Sequence, residues 1–536
     1  MNKILVILFS LILAAIPHIA KATQTLKPGK TLTRSLAATE QHQYVVELAS
    51  GEALIAEVLQ QGIDLVVQVY DPDGQQVLHR DNTGIKEIES IEFTAFNSGH
   101  YKINISPFDA SASGGDYTLT VKPLLSLSQN QLRLAKVQYP QPQLFALWQA
   151  SLTDKTAVDK FIKKMDNKPL FEPVEGNDSD LRVTFYHLGH ANTDYIMLSG
   201  GPDFNGLVMN RLGKTRLFFI SILVSKKGRY LYAFNQYNRK VAGPNAEIET
   251  IQRQRSDLMP LFMPQATTSE YLKLNKAIAA TQLLDAKVVS KALNRTMDIK
   301  LYVPAGLSAN PTNKLLIVLD GDAYSKPAGH GKVSGAWVPT PTILDNLANA
   351  NKIAPTLAVF VSNMGQRNSL LVDEQFGRFI GEELTGWLRA RYPLSSDKND
   401  VVIVGSSRGG YAATNIALNY PDKIGNVLSL SGAYWITDKL LQVEQQGRFF
   451  PNQYVYARQS GRLIDKIKQA TSVSGRFYIS VGLYEDGLAI VGNNRQFKDI
   501  AQLKGATVEY HQYFSGHGYF SWRHVLHQGL IALLAG

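Results

Sequence analysis

Cysteine is absent from all 536 residues, and that absence removes whole classes of function. Without a thiol there is no disulfide scaffold, no thiol nucleophile, no cysteine-ligated zinc and no thioether-linked haem. Lipid attachment to a cysteine behind an export leader is excluded too. Dense charge is also missing. The formal net charge is +10, but lysines and arginines are scattered with no basic block. Nucleic acid is therefore not an expected partner, and the excess reads as a solvated basic surface with a bias toward anionic ligands. After the N-terminus no uninterrupted apolar run approaches the ~20 residues that span a bilayer. What remains is 45% hydrophobic and 19% charged residues, a globular composition. The length calls for two or three domains rather than one core.

The first residues read as an export leader. Lys3 precedes the apolar run Ile4 to Ile16, and Ala20-Lys21-Ala22 supplies a small-x-small cleavage site. Residues 1–22 are thus expected to be removed, leaving a periplasmic or secreted product with no stable membrane span. From residue 23 to 124 short apolar or alternating runs are broken by turn residues, as in "DLVVQVYDPDGQQVL" and "GGDYTLTVKPL". These predict a β-sandwich, with Asp71-Pro72-Asp73-Gly74 as a hairpin turn. Through "DLVVQVYDPDGQQV", "SGHYKINI" and "GGDYTLTV" this segment resembles the bacterial pre-peptidase C-terminal domain. The resemblance implies an accessory binding or targeting module without chemistry of its own.

A polar linker is expected over residues 125–142. Residues 143–260, with "LRVTFYHLG" and "MNRLGKTRLFFISILV", predict a second sandwich of immunoglobulin type. His187 and His190 read as ordinary strand and turn residues, and no metal site is expected. From residue 280 to 536 the pattern changes. "KLLIVLDGD", "TLAVFVSN", "DVVIVGSS", "NVLSLSG" and "RFYISVGLYE" are near-continuous apolar runs alternating with helical stretches. That is the signature of mostly parallel strands buried on both faces with helices on either side, an α/β fold. Its ligand site is expected at the carboxyl ends of the strands.

Between the run "VVIV" and the helical "GGYAATNIALNY" lies Gly405-Ser406-Ser407-Arg408-Gly409. The pentapeptide G-x-S-x-G alone is a weak signal, but a strand before it and a helix after it make a nucleophile elbow. Only Ser407 has glycines at both flanking offsets, so Ser407 is the candidate nucleophile. A serine hydroxyl needs a base. His517, in the Gly-flanked loop of "YFSGHGYFSWRH", is the candidate, whereas His511, His524 and His527 lie in a strand and a helix. The acid is expected after "RFYISVGLY", where Glu485 is preferred and the adjacent Asp486 stays open. Backbone N–H groups of Arg408 and Asp322 are the candidate oxyanion donors.

From about Asp180 onward the chain resembles the enterochelin (enterobactin) esterase family, in the esterase D group of α/β-hydrolases. The resemblance rests on "VTFYHLG", "MNRLGKT", "VLDGDAY", "GSSRGGYAA", "SLSGAYW" and "GHGYFSWRH". It implies an Ig-like cap before the catalytic domain, no cofactor, and a substrate pocket near Tyr324, Arg408, Trp435, Trp522 and Arg523. It also implies an ester substrate such as a ferric catecholate siderophore, which Arg408, Arg523, Lys326 and Lys332 would attract as an anion. Gly518 stands where the siderophore esterases usually carry Asp, and "QRNSLL" keeps Arg367 but has Leu370 where an acidic residue is common. These departures leave open a feruloyl-type esterase, an acyltransferase, a peptidase or a non-catalytic binding protein on the same fold.

Overall fold

In the strand Leu65–Tyr70 every second residue is buried and the rest are partly exposed, which is how a strand reads when one face meets a core and the other meets water. The computed structural model describes residues 23–535 except 112, 203–205, 240–250, 279–280, 330–334, 446–459 and 486–487. The expected leader over residues 1–22 lies outside the described residues, as do Lys332 and Asp486. The chain divides into two units, Met1–Ala157 and Val158–Gly536.

The first unit is a two-sheet sandwich. One sheet runs in the order Gln24–Thr25, His42–Leu48, Gly99–Pro107, Leu65–Tyr70, Gln76–Arg80; the other runs Thr31–Leu36, Gly115–Val121, Ala53–Gln61, Ile88–Thr94. Val58, Leu65, Val67, Ile103 and Leu119 fill its core with no exposed surface. The predicted hairpin forms between Leu65–Tyr70 and Gln76–Arg80. Asp71 Oδ1 accepts from the N–H of Asp73 (3.0 Å) and of Gln75 (2.7 Å), and Gly74 takes φ 83°, the side-chain-closed turn that this residue order favours. The segment expected to be a linker is instead largely helical. Ser126 and Gln129 form a capping box that starts the helix Leu127–Gln138, and a further helix spans Pro142–Ser151. Asn130 Nδ2 donates to Gly51 O (3.2 Å) and Thr94 Oγ1 (2.9 Å), fixing the first helix to the sandwich. Only Asn130 and Ala135 of this helix are buried, and Leu127, Leu132, Leu134 and Val137 are exposed, so no apolar stripe marked it as a helix.

The second unit opens with another sandwich. Leu170–Val174, Asn177–Leu188, Leu217–Ser225 and Asn210–Arg211 form one sheet; Leu207–Val208, Thr193–Gly200, Arg229–Arg239 and Ile251–Arg255 form the other, with Met259–Phe262 also pairing to Arg229–Arg239. Here alternation fails. In the strand Arg229–Arg239, residues 229–236 are all buried except Leu231, which is half-buried.

The sheet that follows the second sandwich has eight strands, numbered here β1 (Leu283–Ser290), β2 (Arg295–Tyr302), β3 (Leu315–Val318), β4 (Leu357–Val361), β5 (Val401–Ser406), β6 (Asn426–Leu430), β7 (Arg476–Gly482) and β8 (Thr507–Tyr513). Their spatial order is 1-2-4-3-5-6-7-8. β1 and β2 pair antiparallel, as do β2 and β4, and all later pairings are parallel. Helices cover both faces, so β3, β4, β5 and β6 are buried at every residue. That explains their unbroken apolar runs. This is the expected architecture of β-sheet domains followed by an α/β-hydrolase-like domain. Among the described residues no helix is long and apolar enough to cross a membrane.

Candidate active site

The carboxyl ends of three adjacent parallel strands carry non-glycine residues in the left-handed region: Asp320 after β3 (φ 56°), Ser407 after β5 (φ 55°) and Ser431 after β6 (φ 53°). Such a backbone costs about 1–3 kcal/mol per residue and persists only where the surroundings enforce it. At Ser407 the enforcement is visible. Its N–H donates to Leu430 O (2.8 Å) and its carbonyl accepts from Ala433 N (2.9 Å). The helix Arg408–Asn419 starts at the next residue. The flanking glycines have a steric cause. A Cβ on Gly405 would lie 2.1 Å from Gly409 O, and one on Gly409 would lie 2.8 Å from Asp320 Oδ2. Of the two adjacent serines, Ser406 is fully buried and Ser407 half-exposed, so only Ser407 can meet a substrate.

Asp320 is 1% exposed and receives Arg367 in a fork, Nε to Oδ1 at 2.7 Å and Nη2 to Oδ2 at 2.8 Å. Arg367 Nη2 also donates to Ser406 O (3.2 Å), and Asn363 Nδ2 donates to Asp320 Oδ1 (2.6 Å). This buried ion pair ties the loop after β3 to the elbow. On that loop Asp322 is the second residue of the short helix Gly321–Tyr324, and its carboxylate accepts from Ser362 Oγ (2.9 Å) and Asn363 N (3.1 Å). Its exposed carboxylate is thereby held against the start of the loop after β4, which leaves its backbone N–H for an oxyanion role. Arg408 is likewise first in its helix, where N–H groups have no intrahelical acceptor. Its side chain, expected either at the substrate or in solvent, is 8% exposed and donates to Asn368 O (3.0 Å).

Glu485 and His517 are brought together. His517 Nδ1 lies 3.1 Å from Glu485 Oε2. An ionised carboxylate only accepts, so Nδ1 carries the proton and Nε2 is left as the basic nitrogen. The other oxygen, Oε1, accepts from Gly482 N (2.8 Å), Ser431 Oγ (2.5 Å) and Tyr513 OH (3.3 Å). Glu485 has no exposed surface, and this set of donors is what allows a carboxylate to stay there. Asp486, the open alternative, lies outside the described residues. Trp522 is 3% exposed; its Nε1 donates to Ser431 Oγ (2.9 Å) and its ring stands edge-on to His517 at 4.9 Å. Trp522 therefore orients the acid and the base from below the pocket and lines no open surface.

Other expected pocket residues are also placed in support. Tyr324 is completely buried beside Tyr519 at 5.9 Å, and burial holds its hydroxyl well above the usual phenol range. Arg523 is 7% exposed, donates through Nη2 to Gly335 O (2.5 Å), and covers the Trp337 ring; burial lowers its guanidinium to about 10. Trp435 is half-buried against the catalytic core. Lys326 is half-buried.

The sequence reading missed how the second sandwich reaches this site. Arg229 N donates to Phe514 O (3.0 Å), Ser515 Oγ donates to Arg229 O (2.6 Å), and Arg229 and Ser515 form a parallel β-bridge. Tyr230 packs edge-on to Tyr484 at 5.4 Å. The loops bearing His517 and Glu485 are thus both braced by one sandwich strand. Ser269 N, after the sandwich, donates to His524 Nδ1 (3.3 Å), so that imidazole is neutral. Burial, and then the nearby Arg229 and Arg523 charges, hold His524 down at about 3. A cavity of about 400 Å³ opens beside the base, lined by His517, Tyr519, Gly335, Ser199, Arg253 and Arg255 among others. Among the described residues no group of three or more His, Asp or Glu is arranged to hold a metal.

Residues 290–533 match the family model described as "Putative esterase". The catalytic segment is an esterase-family hydrolase domain. The iron(III) enterobactin esterase of Dickeya dadantii (strain 3937) is 27% identical over 270 residues, covering 48% of this chain and 56% of that protein. An acetyl esterase of Caldicellulosiruptor saccharolyticus is 26% identical over 184 residues, covering 31% of this chain and 67% of that one. The chain spans about half the length of the enterobactin esterases it matches. The crystal structure of ferric enterobactin esterase from Salmonella typhimurium aligns with a TM-score of 0.53 at 19% identity, over 70% of this chain and 98% of that one. At that identity the likeness concerns the fold of the esterase domain and the sandwich before it. The esterase domain is a distant relative of these enzymes.

Proposed function

We propose that the protein is an exported serine carboxylic-ester hydrolase acting on a siderophore-type ester of the enterobactin kind. The observation that carries the catalytic part is the Glu485–His517 contact at 3.1 Å, made by loops after β7 and β8 at the same sheet end as the elbow. In this reading Ser407 Oγ attacks the ester carbonyl while His517 Nε2 takes its proton. Glu485, held by three donors, stabilises the imidazolium. The N–H groups of Arg408 and Asp322 receive the charge on the carbonyl oxygen. His517 then protonates the departing alcohol, and water, activated by the same imidazole, releases the acid from Ser407. Iron enters only as cargo of the substrate, and no resident cofactor takes part. The substrate assignment is supported by the enterobactin esterases matched over about half of this chain, and the export assignment by Lys3, the apolar run after it and Ala20-Lys21-Ala22.

The test is a product assay with ferric and iron-free enterobactin beside feruloyl and p-nitrophenyl esters, with an added acceptor alcohol to register acyl transfer. Ser407→Ala is expected to lower kcat on every ester by about 10⁴-fold or more. Equal rates for wild type and Ser407→Ala would leave a binding protein, and turnover of feruloyl esters alone would redirect the substrate.

A further inference from the structure

The strand Ile251–Arg255 forms the outer edge of the second sandwich, pairing Arg255 with Asn235 and Arg253 with Tyr237 on the neighbouring strand. Residues two apart on a strand share a face, so Arg253 and Arg255 project side by side. Both are exposed, and both line the cavity of about 400 Å³ that His517 also lines. Arg253 is fixed in direction. Its Nε and Nη2 both donate to Asn235 Oδ1, at 3.2 and 2.9 Å, which orients the planar guanidinium and lessens the rotamer entropy lost when it binds. Arg523 adds positive potential from behind the wall, since it holds the carbonyl of the lining residue Gly335. No Asp or Glu is among the described lining residues. A concave site lined by cations with no balancing carboxylate concentrates anions, and this volume suits a small organic ligand.

We infer that Arg253 and Arg255 form an anion subsite in the cavity beside the catalytic histidine, so that the preferred ester carries a negatively charged, oxygen-rich group on the part that occupies this cavity. The inference rests on the hydrolytic reading and adds the substrate's charge and the residues that select it. The shared chemistry is a cluster of anionic oxygens, whether carboxylate or metal-bound catecholate. The kinetic experiment compares mono-p-nitrophenyl succinate with p-nitrophenyl butyrate through the ratio of their kcat/KM values. In wild type the ratio is expected to favour the charged ester and to shrink as salt rises from 50 to 500 mM. In Arg253→Gln/Arg255→Gln it is expected to fall about tenfold, mostly through KM. Arg255→Lys, which keeps charge but not the fork, is expected to fall less. Should the double variant lower Tm, Arg255→Glu alone is the substitute, and it should reduce the ratio further than Arg255→Gln. A ratio unchanged by these substitutions, or a wild type that prefers the neutral ester, overturns the subsite.

A binding arm needs no turnover. With Ser407→Ala, tryptophan quenching by iron(III)-tris(2,3-dihydroxybenzoate) and by succinate monoesters separates the two sources of anionic oxygen. Quenching by either that weakens about tenfold on adding Arg255→Gln supports the subsite; quenching by both that ignores the substitution refutes it. Ester turnover that is indifferent to Ser407→Ala would defeat the hydrolytic reading while this binding arm still decides the subsite.

Discussion

The chain builds a β-sandwich twice and uses the two differently. In the first, Leu65–Tyr70 alternates buried and half-exposed residues, and its hydrophobic core contains only residues between Leu26 and Val121. In the second, the strand Arg229–Arg239 is buried at nearly every residue from 229 to 236, and at its start Arg229 and Tyr230 meet the loops of His517 and Glu485. The first sandwich thus draws its core from its own residues, whereas the second also braces the loops bearing His517 and Glu485. What separates them is the contact that a strand of the second makes with catalytic loops.

Matched substitutions break or sharpen this contrast. Tyr101 and Tyr230 are each 1% exposed, one in each sandwich. Replacing either with Ala should destabilise its own unit by about 3–5 kcal/mol, as large-to-small changes in a core do. Only Tyr230→Ala should also lower kcat on a small ester, because Tyr230 supports Tyr484 beside the acid. Calorimetry and steady-state kinetics on both variants check this, and an equal loss of kcat in Tyr101→Ala would erase the distinction.

Next in size is a pH effect confined to the second unit. Burial holds His524 at about 3 and His527 at about 4, well below the ordinary imidazole near 6.5. The folded-state values are depressed, so the unfolded chain binds these protons first as pH falls. The stability these groups contribute is complete above about 6.5 and is lost progressively down to about 4 for His527 and about 3 for His524, by up to about 1.4 kcal/mol per pH unit per group. His524→Phe should flatten the fall in Tm of the second unit between pH 6.5 and 4; an unchanged slope would show that His524 does not titrate across unfolding.

The smallest expected effect is that of Ser515→Ala. It removes the bond to Arg229 O and the 2.6 Å contact with Ser521 Oγ, for about 1–3 kcal/mol including the unsatisfied carbonyl. Its kcat should drop several-fold with KM nearly unchanged, since Ser515 is two residues from His517. A KM effect alone would place the bridge in substrate binding instead.

Legibility followed distance along the chain. The elbow could be read because strand, turn and helix are contiguous, and because Gly405 and Gly409 are demanded by contacts with a neighbouring backbone carbonyl and the Asp320 carboxylate. His517 could be read from its glycine-flanked loop. Ser431 was within reach as a small polar residue at the end of a buried strand, where sites in open α/β sheets lie, yet nothing local showed it donating to Glu485. Arg229 opens a strand run after Lys226-Lys227-Gly228, and nothing local showed that it is 3% exposed and bonded to Phe514 and Ser515 on the His517 loop. The helix Leu127–Gln138 was obscured because it buries only Asn130 and Ala135 and so carries no apolar stripe, although its capping box was written in Ser126 and Gln129.

The amino-acid sequence by itself determined the β-sandwiches, the mostly parallel sheet, the serine elbow and the histidine, since each depends on periodicity or on residues within one turn of each other. Tertiary structure alone decided that Trp522, Arg523, Tyr324 and the Arg408 side chain are supports, and that Arg253 and Arg255 line the same cavity as His517. The physical reason is that burial and hydrogen-bond partners come from segments brought together only by folding, so a side chain's role depends on what covers it.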